Sequence, residues 1–339
     1  MSETGTLLRA EGVSKQFGRR RSLLDVARGR APPVTQALLG VNLAVAAGEA
    51  FSIVGESGSG KSTLARCLTA LHACDGGRVL YRGRDLAGLR GAERRAFHRK
   101  VQMVFQNPLS ALNPRMTVAQ TLGEALRVHR ICDAAGVPAE MARLLDLVRL
   151  PRAALHRRPH QFSGGQLQRI ALARALSVRP EIIVADEVVS ALDVSVQAQI
   201  VNLLITLQAR LGLAIVFIAH DLRLVRHVSH RVAVMYRGTL VEMATAEALF
   251  AEPLHPYTRL LIGSAPTLDP RHRLGQEPHV AAAAKPIPSE PSGCVFRQHC
   301  PRVQPCCAEA PSLRLVAPGR FAACHLVDQT SQETPHAGR

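Results

Sequence analysis

The octapeptide GESGSGKS, Gly55 to Ser62, constrains what this chain can fold into more than any other stretch. It matches the phosphate-binding loop pattern G-x-x-x-x-G-K-S in the right setting. The apolar run AFSIV before it reads as a strand, and TLARCLTAL after it reads as a helix. Glycines let backbone N–H groups turn inward around phosphate oxygens, and the following helix directs its positive end at them. In this reading Lys61 reaches the β- and γ-phosphates and Ser62 ligates Mg²⁺. Gly55, Glu56, Ser57, Gly58, Ser59, Gly60 and Thr63 complete the candidate nucleotide contacts. A Gly/Ser-rich turn that fits the pattern by chance is the competing reading, and the flanking strand and helix weigh against it.

Two further runs, EIIVA (Glu181 to Ala185) and LAIVFIA (Leu213 to Ala219), have the unbroken apolar character of strands buried on both faces. Each ends in polar residues, Asp186-Glu187 and His220-Asp221. In open α/β sheets, chemistry gathers beyond the carboxyl ends of the strands, so these clusters and the loop predict one shared site. A carboxylate after a strand in a P-loop ATPase holds Mg²⁺, the part assigned to Asp186, and its neighbour Glu187 is placed to accept a proton from water. FSGGQLQR (Phe162 to Arg169) supplies a second candidate anion site. Ser163, Gly164 and Gly165 open a helix, so free N–H groups and a hydroxyl are available there. Two phosphate cradles in one chain suggest a two-chain sandwich, each nucleotide gripped by one chain's loop and the other's serine-glycine turn; an ordinary helix cap is the alternative.

At this point the chain resembles the nucleotide-binding subunits of ABC transporters. Seven motifs occur in that family's order over roughly residues 8 to 250: Phe17 in VSKQFG, the P-loop, Gln106 in MVFQNP, FSGGQ, VADE, SALD (Ser190 to Asp193) and His220 in IAHDL. The resemblance implies an ATP-hydrolysing α/β P-loop NTPase fold; apolar residues at helical spacing in LGEALRVH and EMARLLDLVRL mark about 91–178 as an inserted helical subdomain. It implies that Phe17 stacks on adenine and that Gln106 senses Mg²⁺ and the attacking water. Asp186 would organise the Mg²⁺ shell, Glu187 would be the general base, and His220 would contact the γ-phosphate. Ser163, Gly164, Gly165 and Gln166 would serve the partner's ATP, and Asp193 would meet the partner chain. One departure is Val188, where the family usually has proline after the catalytic glutamate; it leaves the tightness of that turn in question.

NPLSALNPRMTV, HPYTRLL (His255 to Leu261), SAPTLDP and the terminal cysteine run narrow the resemblance to the oligopeptide/dipeptide importers. That group implies a second ATPase subunit, usually a different chain, two membrane permeases and an extracytoplasmic solute-binding protein, with this chain peripheral on the cytoplasmic face of the membrane. Substrates across the group include peptides and, in some branches, nickel or glutathione. A soluble ABC ATPase acting on ribosomes or DNA is the rival. One P-loop set rather than two, and no sustained heptads, weigh against it.

Charge gives that rival mild support, since the formal net charge is +16. Only four of the 42 basic residues are lysines, so arginine on solvated faces is the plainer reading, and no nucleic-acid partner is expected. Three tyrosines and no tryptophan argue against base-stacking platforms. No apolar run is long enough to span a bilayer, and the N-terminus lacks the pattern of a signal peptide. The expected setting is therefore the cytoplasm, where disulfides are not expected.

The boundaries follow: an ATPase domain over 1–250, a Pro/Ala-rich linker and extension over 251–293, a Cys-rich segment over 294–326, and a disordered tail over 327–339. Four of the eight cysteines fall in GCVFRQHCPRVQPCC, and Cys324 follows. Taken as C-x5-C-x6-C-x16-C, Cys294, Cys300, Cys307 and Cys324 are candidate metal ligands, with Cys306 spare. Irregularly spaced thiols suit an iron–sulfur cluster; His299 and His325 leave a Cys/His zinc site open; a clip of reduced cysteines is the metal-free alternative. The resemblance implies a four-iron cluster. A segment this small would need such a staple to hold its shape.

Overall fold

A computed structural model of the chain describes residues 5–18, 34–190, 192–264 and 293–327. An Arg-rich stretch (Arg19 to Arg30), residues 265–292 of the expected linker and extension, and the tail from Asp328 lie outside the described residues.

The main sheet is built on the three runs read from sequence. β3 (Ala50–Val54), β7 (Ile182–Asp186) and β8 (Ala214–Ala219) are buried along their whole length. They pair in parallel, β3 with β8 and β8 with β7. β9 (Arg231–Tyr236) adds in parallel to the other side of β3, and β6 (Val101–Val104) to the outer side of β7. Alternation of side chains sends neighbouring residues to opposite faces. Ile183, Ala185, Ile215 and Phe217 enter one core, while Ile182, Val184, Ala214, Val216 and Ile218 enter another. Both faces are thus covered, which is why these strands read as unbroken apolar runs.

The first core is closed by helices α3 (Val118–Val128), α4 (Val137–Leu147), α5 (Gly164–Leu176) and α6 (Val194–Leu211). The second is closed by α1 (Lys61–Leu68) and by a separate antiparallel sheet ordered β2-β1-β4-β5, with β1 at Thr6–Gly18, β2 at Val34–Ala46, β4 at Gly76–Tyr81 and β5 at Arg84–Asp85. Glu181, at the foot of β7, ties the two sheets. It accepts from Tyr81 Oη at 2.6 Å and Arg82 Nη2 at 2.9 Å, and pairs with Lys100 Nζ at 3.0 Å.

The stretch 91–178 is less uniformly helical than the sequence suggests. After α2 (Gly91–Lys100) the chain enters β6, an edge strand of the main sheet. Four residues, VQMV, directly after a helix are too short for periodicity to separate from it. Beyond β9 the chain turns back as β10 (Thr239–Thr245), antiparallel to β9. α7 (Leu222–Val228), α8 (Ala246–Ala251) and α9 (Pro256–Gly263) pack on this end of the sheet. The C-terminal segment continues the same sheet, β12 (Arg320–Ala322) pairing with β10 and β11 (Arg314–Ala317) with β12.

Candidate functional site

Because β3, β7 and β8 are parallel and adjacent, Gly55, Asp186-Glu187 and His220 emerge at one edge of the sheet. The P-loop is seated by its glycines. Gly55 has φ 151° and lies flat on the end of β9, where an added Cβ would sit 2.1 Å from the Met235 carbonyl oxygen. Gly60, the N-cap of α1 at φ 105°, packs so closely on β2 that a Cβ would lie 2.5 Å from the Ala37 oxygen. No other residue type fits either position without moving backbone. Between them Ser57 and Gly58 are exposed, Ser59 is buried and Glu56 is half-buried, as is Thr63 in the first turn of α1.

Lys61 is only 4% exposed, and its ammonium is folded into its own loop, donating to the carbonyl oxygens of Gly55 at 2.8 Å and Glu56 at 2.7 Å. Burial lowers its pKa, and the nearby Glu187, Asp186 and Glu56 carboxylates work against that shift. Two backbone carbonyls thus hold the buried ammonium inside the loop. Ser62 Oγ donates to Asp186 Oδ1 at 2.8 Å. Asp186 is itself buried, which raises its pKa; the adjacent Glu187 adds to the rise and the Ser62 hydrogen bond opposes it. Two close oxygen donors, one a carboxylate, are the hard ligand set that Mg²⁺ prefers.

Glu187 takes φ 48°, the left-handed region, uncommon for a side chain of its size. The Ser190 N–H donates to the Glu187 carbonyl at 3.1 Å and its Oγ donates to the same oxygen at 3.0 Å. Val188 is buried in the helical core. The turn therefore closes tightly without the proline, held by Ser190 and by the packing of Val188. Gln106, exposed at the end of β6, donates from Nε2 to Glu187 Oε2 at 3.1 Å and to Ser190 Oγ at 3.0 Å. Gln106 thus meets the expected base rather than the Ser62–Asp186 pair. Sequence reading gave Ser190 no role beyond its motif; the signal available was a hydroxyl three residues after the glutamate.

His220 is exposed at the end of β8 and lines, with Glu187 and Ser190, a cavity of about 370 Å³. No P-loop residue lines that cavity. Phe17 ends β1 and is 42% exposed, with one ring edge on His72 at 5.6 Å, so it is not a core aromatic. Ser163 caps α5 through a capping box, its Oγ accepting from Gln166 N at 3.4 Å and its own N–H donating to Gln166 Oε1 at 3.1 Å. Ser163 and Gly164 are exposed, Gln166 is half-buried, and Gly165 lets α5 approach Val196 of α6. Among the described residues no hydrogen bond joins this turn to the P-loop. Asp193 is exposed at the start of α6, beside Val194, which is 82% exposed.

In the C-terminal segment Cys307 and Cys324 are buried, Cys294 and Cys300 half-buried, and Cys306 exposed. The Cys294 N–H donates to the Cys307 carbonyl at 3.0 Å. Burial raises the thiol pKa of Cys294, Cys300 and Cys324, and mutual proximity among these three and Cys307 raises them further. All four thiols therefore share one neighbourhood. Even so, among the described residues no group of three or more His, Cys, Asp or Glu side chains is arranged to hold a metal ion. His299 and His325 make other contacts, with Tyr236 Oη at 3.4 Å and the Glu309 carbonyl at 3.1 Å.

Comparison with known proteins bears on both regions. The chain matches the ABC transporter family over residues 38–190 and the oligopeptide/dipeptide transporter C-terminal region over residues 241–307. It is 49% identical over 299 residues to the putative oligopeptide transport ATP-binding protein YkfD of Bacillus subtilis strain 168, covering 86% of this chain and 89% of that one. The chain belongs to the oligopeptide/dipeptide family of ABC transporter ATPases. Against the probable peptide ABC transporter ATP-binding protein y4tS of Sinorhizobium fredii, identity is again 49%, over 87% of this chain and 83% of that one. Among solved structures, it resembles the dimeric post-hydrolysis state of the ATP-binding cassette MJ0796 bound to ADP and phosphate. The TM-score is 0.61 at 28% identity, over 71% of this chain and 99% of that one. This ABC ATPase uses ATP and Mg²⁺ as its family does. No helix among the described residues is long and apolar enough to cross a membrane.

Proposed function

We propose that this ATPase powers uptake of di- or oligopeptides, working beneath two permeases with a second ATPase subunit on the cytoplasmic face of the membrane, supplied by an extracytoplasmic binding protein. The observation that carries the catalytic part is the convergence of Lys61, Ser62, Asp186, Glu187 and Gln106 at one sheet edge, with Ser62 Oγ 2.8 Å from Asp186. Relatives described as oligopeptide or peptide import ATP-binding proteins support the substrate class, with nickel or glutathione as the alternatives in this family.

In this mechanism Lys61 leaves its own loop carbonyls for the β- and γ-phosphates, so binding exchanges one set of oxygens for a more strongly charged one. Bound Mg²⁺, held by Ser62 and Asp186, neutralises phosphate charge. Glu187 accepts the proton of the attacking water, with Gln106 orienting that carboxylate and His220 contacting the γ-phosphate. Phe17 offers an exposed ring face for adenine. Ser163 to Gln166 and Asp193, turned outward on this chain, serve the nucleotide and surface of the second subunit.

We also propose the domain division read from sequence, with β6 counted in the main sheet, and a four-iron cluster held by Cys294, Cys300, Cys307 and Cys324 in the segment 294–326. Its support is the donor set. A single zinc ion needs four donors about 2.0–2.3 Å from one point, whereas a four-iron cluster takes one thiolate at each corner; the two nearby histidines make other contacts. When bound, the cluster would cross-link the segment. The test is ATPase rate in the assembled transporter with the binding protein loaded with peptides of two to six residues, nickel or glutathione. Stimulation by peptide alone supports the reading; stimulation only by nickel or glutathione replaces it.

A further inference from the structure

The HPY stretch, His255 to Tyr257, forms the N-terminal end of α9. In the structure it reaches the P-loop from 201 residues away: the Glu56 backbone N–H donates to Tyr257 Oη at 3.0 Å. Tyr257 is 2% exposed, and its position is fixed from several sides. Glu242 on β10, wholly buried, accepts from the N–H groups of Leu254 at 2.9 Å and His255 at 2.8 Å, clamping the chain just before α9. His255 then caps the helix, its Nδ1 accepting from the Tyr257 N–H at 3.0 Å. The Tyr257 ring packs on Tyr236 at 4.6 Å and on Phe296 of the C-terminal segment at 5.5 Å. Phe296 also meets Tyr236 at 5.2 Å and His255 at 5.7 Å, so one buried ring of that segment touches every aromatic holding the strut.

The peptide that Tyr257 grips is the Gly55–Glu56 unit, whose own carbonyl, that of Gly55, accepts from Lys61 Nζ at 2.8 Å. The Glu56 carbonyl accepts from Lys61 Nζ at 2.7 Å and from the Ser59 N–H at 3.2 Å. Holding the Glu56 N–H on a buried phenol fixes the plane of the Gly55–Glu56 peptide, and with it the carbonyl that holds Lys61. Gly55, pressed on Met235, leaves the loop no slack on the other side. We infer that Tyr257 is a positioning residue of the P-loop, set by the Glu242–His255 clamp and by Phe296 of the C-terminal segment, and that it tunes affinity for the nucleotide triphosphate. The inference rests on the reading of the P-loop as the ATP site.

Tyr257→Phe removes the hydroxyl and keeps the ring. It should raise both the Kd for a non-hydrolysable ATP analogue and the KM for ATP by about fivefold, the scale of one lost hydrogen bond. kcat at saturating ATP should stay within about twofold. Phe296→Leu, which loosens the packing behind Tyr257, should shift Kd in the same direction by a smaller factor. Tyr236→Phe deletes a hydroxyl in the same cluster that faces His299 rather than the loop, and should leave Kd unchanged. Lys61→Ala is the reference for the site itself and should abolish analogue binding. Parental Kd and KM in Tyr257→Phe, with only a lowered Tm, would overturn the positioning role while Lys61→Ala still fails to bind. Parental binding by Lys61→Ala would instead overturn the site on which the inference rests.

Discussion

The P-loop end of the sheet and the C-terminal segment, residues 293–327, are stabilised on different terms. The P-loop sits between two elements that form from local pattern, a fully buried five-residue strand and a helix whose N-terminus the loop supplies. Its chemistry is carried largely by backbone N–H groups and three adjacent strand ends. The C-terminal segment has two short strands of four and three residues, and it borrows its order from β10 and from the aromatic cluster around Phe296. The first region takes its geometry mainly from contiguous strand, loop and helix, with Tyr257 as a distant hydrogen-bond support. The second rests on its pairing with β10 and on the packing of Phe296, and a segment with so small a core is where a metal staple would matter most.

The sharpest way to break this contrast is at the acid pair. Glu187→Gln keeps the Gln106 contact and the turn but cannot take a proton, so turnover should fall by roughly 10²- to 10⁴-fold while ATP affinity is retained. Hydrolysis at the parental rate would remove Glu187 as the base. Cys300→Ser tests the other region. Anaerobically purified parent should be brown and contain iron; the variant should be colourless and its C-terminal segment open to protease, with ATP affinity falling only a few-fold through Phe296. Colourless parent with stoichiometric zinc would replace the cluster and keep the staple.

A pH experiment separates the regions more gently. Burial lowers the His255 pKa to about 4, below its ordinary value near 6.5, and its Nδ1 lone pair is already engaged by the Tyr257 N–H. The contribution to stability is therefore present above about pH 6.5 and is lost as pH falls toward 4, because the unfolded chain gains the proton first. That loss is on the order of 3 kcal/mol. Hydrogen exchange should report it earliest in α9. His255→Asn keeps a capping acceptor and cannot charge, so it should flatten the acid limb over this window. An unchanged limb would show that other groups carry it.

What could be read from sequence divides along the same line. AFSIV, EIIVA and LAIVFIA announced their strands because parallel strands covered on both faces leave a continuous apolar run, and the structure moves their bounds by a residue at most. The polar residues after them were legible because they follow directly in the chain. β6 was not, being four residues against a helix end, nor were β11 and β12, whose pairing depends on β10 about eighty residues away. The links between Gln106 and Ser190, and between Glu56 and Tyr257, join residues 84 and 201 apart, and no local pattern encodes them. Val188 shows the reverse case: a departure from the family pattern that the fold absorbs by burying the side chain and bonding Ser190 across the turn.

The central claim is that ATP is bound by one chain's P-loop and hydrolysed only when a second chain closes over it. Ser163→Arg tests it most directly, because Ser163 is exposed on this chain and its hydrogen bonds stay within its own turn. Nucleotide titrated onto the isolated variant should bind once per chain with parental affinity, while hydrolysis in the assembled transporter should fail at the composite site that this serine completes. Lost binding in the isolated chain, or hydrolysis unchanged at both sites of the assembly, would contradict the account.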